Sequence, residues 1–149
     1  MAKVDKNFFV TELRDVVQGA PWSPIFEDNE ARRVISLDSD VIKGAFYMET
    51  AWFLPGDWPD KTKDDPTHTI GAHSHDYDEV IAWVGGDPDD RYNLNGEIEL
   101  WIDGKQNILD RSFIAFIPAG IVHGPINIRK ITKPMFHFTA GMGKKYQNP

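Results

Sequence analysis

The chain contains no cysteine. That absence excludes disulfides, thiolate zinc sites, iron–sulfur clusters and a cysteine nucleophile together. No stretch approaches the ~18 consecutive apolar residues of a membrane-spanning helix. The start, Met1-Ala2-Lys3-Val4-Asp5-Lys6, breaks with charge any apolar run of signal-peptide length. The expectation is a cytoplasmic protein with no membrane partner. Positive charge is scarce too: 16 Lys and Arg stand against 23 Asp and Glu, a net charge of −7. Such a chain repels phosphate backbones, so nucleic acid is not an expected partner.

What is present fits one globular domain over residues 1–149, with 41% hydrophobic and 12% aromatic residues to build a core. Near the start, Thr11 can cap a short helix in which Leu13, Val16 and Val17 share a face and Gly19 with Pro21 marks the stop. Beyond it the pattern changes to short β-like runs: Ala45–Leu54, Glu79–Val84, Glu97–Asp103, Gln106–Leu109, Phe113–Ile117, Pro125–Ile128 and Met135–Ala140. Asp103-Gly104 reads as a tight hairpin turn. Short strands at this spacing, with 12 Gly and 10 Pro between them, predict an all-β antiparallel sandwich or barrel. Two long loops are expected: Pro55–Thr69, either a lid or a surface segment, and Gly85–Gly96. The Asp and Asn residues of the second loop lack the spacing and terminal Glu of a calcium-binding EF-hand, so a solvated turn is the reading there.

Three of the 5 His fall into one arrangement. In His73-Ser74-His75-Asp76-Tyr77-Asp78-Glu79 the His-x-His pair, read as strand, puts both imidazoles on one face, and Glu79 follows a turn-like Asp-Tyr-Asp. Downstream, Pro118-Ala119-Gly120-Ile121-Val122-His123 supplies a third His beside a Pro/Gly turn. Three neutral imidazoles and one carboxylate suit a divalent first-row metal: Fe, Mn, Ni, Co or Zn. A closed tetrahedral structural zinc site is the alternative.

These residues resemble the two motifs of the cupin superfamily. His-x-His-x3-Glu-x6-Gly is matched by His73, His75, Glu79 and Gly86, and Pro-x-Gly-x2-His-x3-Asn by Pro118, Gly120, His123 and Asn127. The first motif spans about residues 67–86 and the second about 112–127; the glycines that open them in the family are Thr67 and Ser112 here. The resemblance implies a double-stranded β-helix, or jelly-roll barrel, holding one divalent metal ion on His73, His75, Glu79 and His123. Family members include dioxygenases, isomerases, lyases, decarboxylases and metal-free binding modules. Metal ligands on one side of an octahedron, with two positions left open, are what it implies for the site.

The rest of the site is read from alternation. If Glu79 points inward, Ile81 and Trp83 point inward with it, and Trp101 is expected to join them in lining a substrate pocket. Tyr77, Glu99 and His137 are the candidate acid–base groups. No Lys or Arg occurs from Asp64 to Asp90, and Ser112–Ile128 carries no charged residue. A clamp for a sugar phosphate or polycarboxylate is therefore not built into the motif strands, although Lys43 or Arg129 could reach in. The expected ligand is small, neutral or monoanionic, partly apolar, and able to chelate a metal through oxygen. The function that follows is a metal-dependent enzyme on such a molecule, a dioxygenase or else a non-redox isomerase or lyase, with a non-catalytic metal- or metabolite-binding module as the rival. Both faces of Glu79–Val84 are apolar, so one needs cover, and a homodimer is expected to supply it.

Overall fold

The structure is a computed structural model that describes residues 5–13, 28–58 and 71–143. Eight strands follow one another: β1 (Ala31–Leu37), β2 (Tyr47–Phe53), β3 (Glu79–Gly85), β4 (Asn93–Ile102), β5 (Lys105–Arg111), β6 (Phe113–Ile117), β7 (His123–Ile131) and β8 (Met135–Gly141). All pair antiparallel in two sheets, one ordered β1-β2-β8-β3-β6 and the other β5-β4-β7. The chain crosses between the sheets after β3, β5, β6 and β7, which is the double-stranded β-helix the motifs imply. Among the described residues no helix is long and apolar enough to cross a membrane.

Alternation decides what each strand buries. On β8 the pattern is strict: Met135, His137, Thr139 and Gly141 are buried, while Phe136, Phe138 and Ala140 are half-buried on the other face. Register carries the inward residues across the sheet in layers. Glu79, Gly141 and Tyr47 form one; Ile81, Thr139, Glu49 and Ser36 the next; Trp83, His137, Ala51 and Arg33 the third. A plug of Phe53, Trp58, Trp83, Met135, Leu94 and Ile98 closes the interior beyond them. Trp58 belongs to this plug and not to a solvated loop: it is buried against Phe53, and its Nε1 donates to Leu54 O at 2.7 Å. The outer face of the same sheet stays apolar, with Ile114, Phe116 and Trp52 exposed.

Several sequence expectations shift. β1 went unanticipated, because its sequence ARRVISL carries two Arg and bulges between Arg33 and Ser36, which hides the alternation. The loop after β3 is shorter than expected, since Asn93–Gly96 belongs to β4. Its acidic groups are engaged locally: Asp87 Oδ1 caps the turn by accepting from Asp89 N, and Asp90 accepts from the Asn93 amide. The Asp103-Gly104 hairpin turn is present, with φ of 50° and 73°. The expected N-terminal helix falls mostly on 14–27, outside the described residues, as does the stretch 59–70 that holds His68.

The glycine that ends the first motif has a steric reason. A Cβ on Gly86 would stand 2.4 Å from Pro134 O, whose oxygen accepts from Gly86 N at 3.0 Å, so the end of β3 can lie against the start of β8 only with a bare α-carbon there. Gly86→Ala is expected to cost about 2 kcal/mol or more in urea unfolding. Gly71→Ala, where a Cβ meets nothing within 4 Å, is the control and should stay near wild type.

Candidate metal centre

Glu79 opens β3 with its side chain on the inner face, between Gly141 of β8 and Ile117 of β6. His73 and His75 lie upstream in an extended segment that makes a single bridge and no longer strand, unlike the expectation for His-x-His. That bridge joins the motifs directly. His73 N donates to His123 O, and His123 N donates to His73 O, both at 2.8 Å. Gly124 (φ 94°) permits the approach, because a Cβ there would stand 2.6 Å from Gly71 O.

The result is a cluster. Ring centroids are 4.4 Å apart for His73 and His123, 4.8 Å for His73 and His75, and 5.2 Å for His75 and His123. One nitrogen from each ring can be chosen so that all three lie within 4.8 Å of one another. Glu79 enters from the sheet, with Oε1 3.1 Å from His123 Nε2 and Oε2 3.3 Å from His75 Nε2. All four side chains are buried.

Backbone carbonyls set the rings. His73 Nδ1 donates to Gly71 O at 2.7 Å and His123 Nδ1 to Ile121 O at 3.0 Å, so each ring turns Nε2 toward the interior. Tyr77 stacks flat on His75 at 4.7 Å and 4°, and its ring fills the space beside the bare α-carbon of Gly141. Tyr77 therefore positions His75. Burial pushes the Glu79 carboxyl up, but the contacts of His123 and His75 outweigh it and hold the group at about 2. Burial lowers His73, with His123 and His75 adding to it against Gly71 O and Glu79. For His123 burial also lowers the pKa, yet Glu79 and Ile121 O leave it raised.

The donor set fits a metal ion. Three imidazoles and a carboxylate converge, with His75 Nε2 3.3 Å and His123 Nε2 3.1 Å from the two Glu79 oxygens. A buried carboxylate calls for positive charge beside it, which neutral imidazoles alone do not supply.

Other expected site residues divide between the two faces. Ile81 and Trp83 point inward as expected, Trp83 packing between Phe53 (4.6 Å) and His137 (4.3 Å). His137 is inward as well, its Nδ1 donating to Ala82 O at 2.9 Å. Glu99 and Trp101 are corrected. On β4 the buried positions are Leu94, Ile98 and Leu100, so Glu99 and Trp101 lie on the outer face of the three-stranded sheet. There Trp101 Nε1 donates to Glu99 Oε1 at 2.6 Å, joined by the Asn127 amide and Arg129. Arg129 is thus engaged outside, and Lys43 is exposed in the turn before β2.

Sequence reasoning passed over Arg33 and Glu49. Glu49 is fully buried on the inner face, and Arg33 Nη2 donates to both its oxygens at 3.1 and 3.0 Å. The signal was available: in YMETAWF, alternation sets Glu49 among Tyr47, Ala51 and Phe53, an acid on an apolar face.

Burial holds His137 down to about 4, against the Ala82 carbonyl and Glu79. The folded state thus binds fewer protons than the unfolded chain between pH 6.5 and 4, and stability falls as pH falls through that window, by on the order of 3 kcal/mol. His137→Phe, unfolded in urea with chelator present, should lose most of that acid-side decline.

No family profile matches the sequence, and no curated protein matches it. Solved structures do. An oxalate oxidase in complex with glycolate superposes at a TM-score of 0.52 with 15% identity, covering 97% of this chain and 63% of that one. This chain thus spans less than two thirds of the oxidase's length. A double-stranded β-helix protein from Klebsiella pneumoniae aligns at a TM-score of 0.47 with 16% identity, covering 82% of this chain and 84% of that one. An RmlC-like cupin from Shewanella frigidimarina aligns at 0.45 with 16% identity, covering 90% and 86%. Likeness at this identity speaks to fold alone. Two sheets in double-stranded β-helix order, with the two His motifs joined by the His73–His123 bridge, give this chain the fold of the oxalate oxidase structure.

Proposed function

We propose that the chain holds one divalent first-row ion on His73, His75, Glu79 and His123 and acts as an enzyme on a small, oxygen-chelating organic molecule. The observation that carries this reading is the buried convergence of three imidazoles and one carboxylate, with no lysine or arginine among them. A bound ion would supply Lewis-acid character and, if redox-active, reaction with dioxygen. The chain's own residues do the positioning. Gly71 and Ile121 carbonyls fix the ring orientation of His73 and His123, Tyr77 holds the plane of His75, and Ile81 and Trp83 keep water from the floor. A dioxygenase is the first reaction class, an isomerase or lyase the second. The oxidase neighbour binds glycolate, a 2-hydroxy acid, which supports including that class among probes. A non-catalytic binding module is favoured by one observation: Glu99, an expected acid–base group, lies outside the barrel.

Protein purified without added metal should carry about one divalent ion per chain by elemental analysis. In His75→Ala this is expected to fall below about a tenth of an equivalent. Release should also follow acidification below about pH 6, since imidazole with an ordinary pKa of ~6.5 must be neutral to ligate. Full metal content after dialysis at pH 4.5 would contradict the His ligands. To separate reaction classes, Fe(II)-loaded protein is given a β-diketone, catechol or 2-hydroxy acid without air, and dioxygen is then admitted. Uptake that depends on substrate and is lost in Glu79→Ala identifies a dioxygenase, whereas turnover without dioxygen identifies an isomerase or lyase.

The assembly we propose is a homodimer through the outer face of the five-stranded sheet. Register lines up Trp52, Phe136 and Val84 in one row, Phe138, Ala82 and Ile114 in the next, and Ala140, Val80 and Phe116 in the third, with no charge among them. An apolar face this continuous is costly in water. Light scattering should give twice the 16.9 kDa chain mass, and Phe116→Glu should return the single-chain mass.

A further inference from the structure

One contact between the two motifs lies outside the ligand set. Burial alternates strictly from His73 to Glu79: His73, His75, Tyr77 and Glu79 are buried, while Ser74, Asp76 and Asp78 are exposed. Asp78 therefore points away from the ligand side chains. Its carboxylate is engaged all the same, with Oδ1 accepting from Ala119 N at 2.9 Å across 41 positions of sequence. On the next residue a second bond ties the motifs, Gly120 N donating to His75 O at 2.8 Å. Ala119 and Gly120 belong to the turn that leads from β6 to the third His. Ile121 N on Pro118 O at 3.2 Å closes that turn, and the positive φ of Gly120, 83°, shapes it.

The turn matters because of what its last carbonyl does. Ile121 O accepts from His123 Nδ1 at 3.0 Å, which turns His123 Nε2 to within 3.1 Å of Glu79 Oε1. The bonds thus run from Asp78 to Ala119 N, two residues on to Ile121 O, and from there to the His123 ring. We infer that Asp78 is a positioning residue of the metal centre: its carboxylate holds the turn over 118–121 so that the Ile121 carbonyl fixes the His123 ring. This role rests on the metal reading above and adds to it a side chain that does not face the ion.

The reciprocal backbone pair with His73 fixes the His123 main chain whatever the turn does. What the turn adds is the rotation of the ring, and with it the aim of the coordinating nitrogen. Groups that orient a ligand from behind are typically worth 10–100-fold in metal affinity. Asp78 acts through a turn from an exposed position, so about tenfold is expected of it. Two other roles would leave the same bond in place. A merely structural tie alters folding stability but not the affinity of the folded protein for metal. A purely electrostatic role acts through charge, and then Asp76, exposed on the same face two residues away, should serve as well.

The test is Zn(II) affinity, measured by competition with a chromophoric chelator at neutral pH on protein shown to be folded. Asp78→Ala should bind about tenfold more weakly than wild type. Asp78→Asn loses the charge but keeps an Oδ1 that can accept from Ala119 N, and it should stay within about threefold. Asp76→Ala should also stay within about threefold. A second measurement uses the unsubstituted protein. Because coupling is reciprocal, Zn(II) must strengthen the Asp78–Ala119 bond by the same factor, so exchange of the Ala119 amide hydrogen should slow about tenfold on loading. The Asp40 amide, which donates to Asp38 Oδ1 at 2.8 Å outside both motifs, is the control and should not change. That comparison decides the matter even where Asp78→Ala fails to fold. Wild-type affinity in Asp78→Ala, or Ala119 exchange indifferent to Zn(II), overturns the positioning role and leaves the metal reading standing. Asp78→Asn or Asp76→Ala as weak as Asp78→Ala assigns the effect to charge and overturns it too. Failure of the unsubstituted protein to bind Zn(II) overturns the metal reading, and the role of Asp78 with it.

Discussion

Glu79 places a carboxylate at 3% exposure in the interior of a small barrel, and much of the surrounding structure follows from keeping it there. A buried carboxylate left alone is strongly unfavourable and would take up a proton instead. Here it stays ionised because two imidazoles reach it from a different sheet edge. Those imidazoles can reach it only if residues 71–75 lie against the start of β7. That contact is the reciprocal His73–His123 backbone pair, and it in turn requires Gly124 without a Cβ. The charge, the bridge and the glycine are one arrangement. Each of the last two makes sense as a means of bringing nitrogen to the first.

The same sheet solves two problems with its two faces. Inward, successive layers run from the one that holds Glu79 through a polar layer around Glu49 to the aromatic plug of Phe53, Trp58 and Trp83. Outward, the rows around Phe138, Ile114 and Phe116 are apolar. A strand with one face on a core and one in water should alternate between apolar and polar. β3 does not, since Val80, Ala82 and Val84 answer Glu79, Ile81 and Trp83. Its polar residue points in, beside the three imidazoles, while its outward residues are apolar, the reverse of the usual arrangement.

The sequence was legible where chemistry or steric need restricts residue type. His73, His75, Glu79 and His123 could be picked out because their spacing is tied to ligand geometry, and the strand runs because alternation is enforced by the pleat. Legibility failed where two physical preferences compete. Trp101 looks like a pocket residue by type, but Ile98 and Leu100 already claim the inner face of β4, and a strand has only one inner face. Glu99 follows Trp101 outward by the same parity. β1 failed for another reason: a bulge between Arg33 and Ser36 moves the alternation out of phase halfway along, so no single period fits it. The bulge is also what sets Arg33 beside Ala51 and Ser36 beside Glu49, so the device that hid the strand built the polar layer.

That polar layer carries a cost in stability. For stability alone, apolar residues of similar volume would serve as well or better, because a buried pair recovers little beyond its own desolvation. The neighbouring layers show that the chain has such residues to offer at equivalent inward positions, Ile81 and Ala51 among them. At Glu49 burial outweighs the pull of Arg33 and leaves the carboxyl at about 7. A structural pair loses stability through that shift, since from pH 4.5 to about 7 the folded state must keep a proton that the unfolded chain has already released.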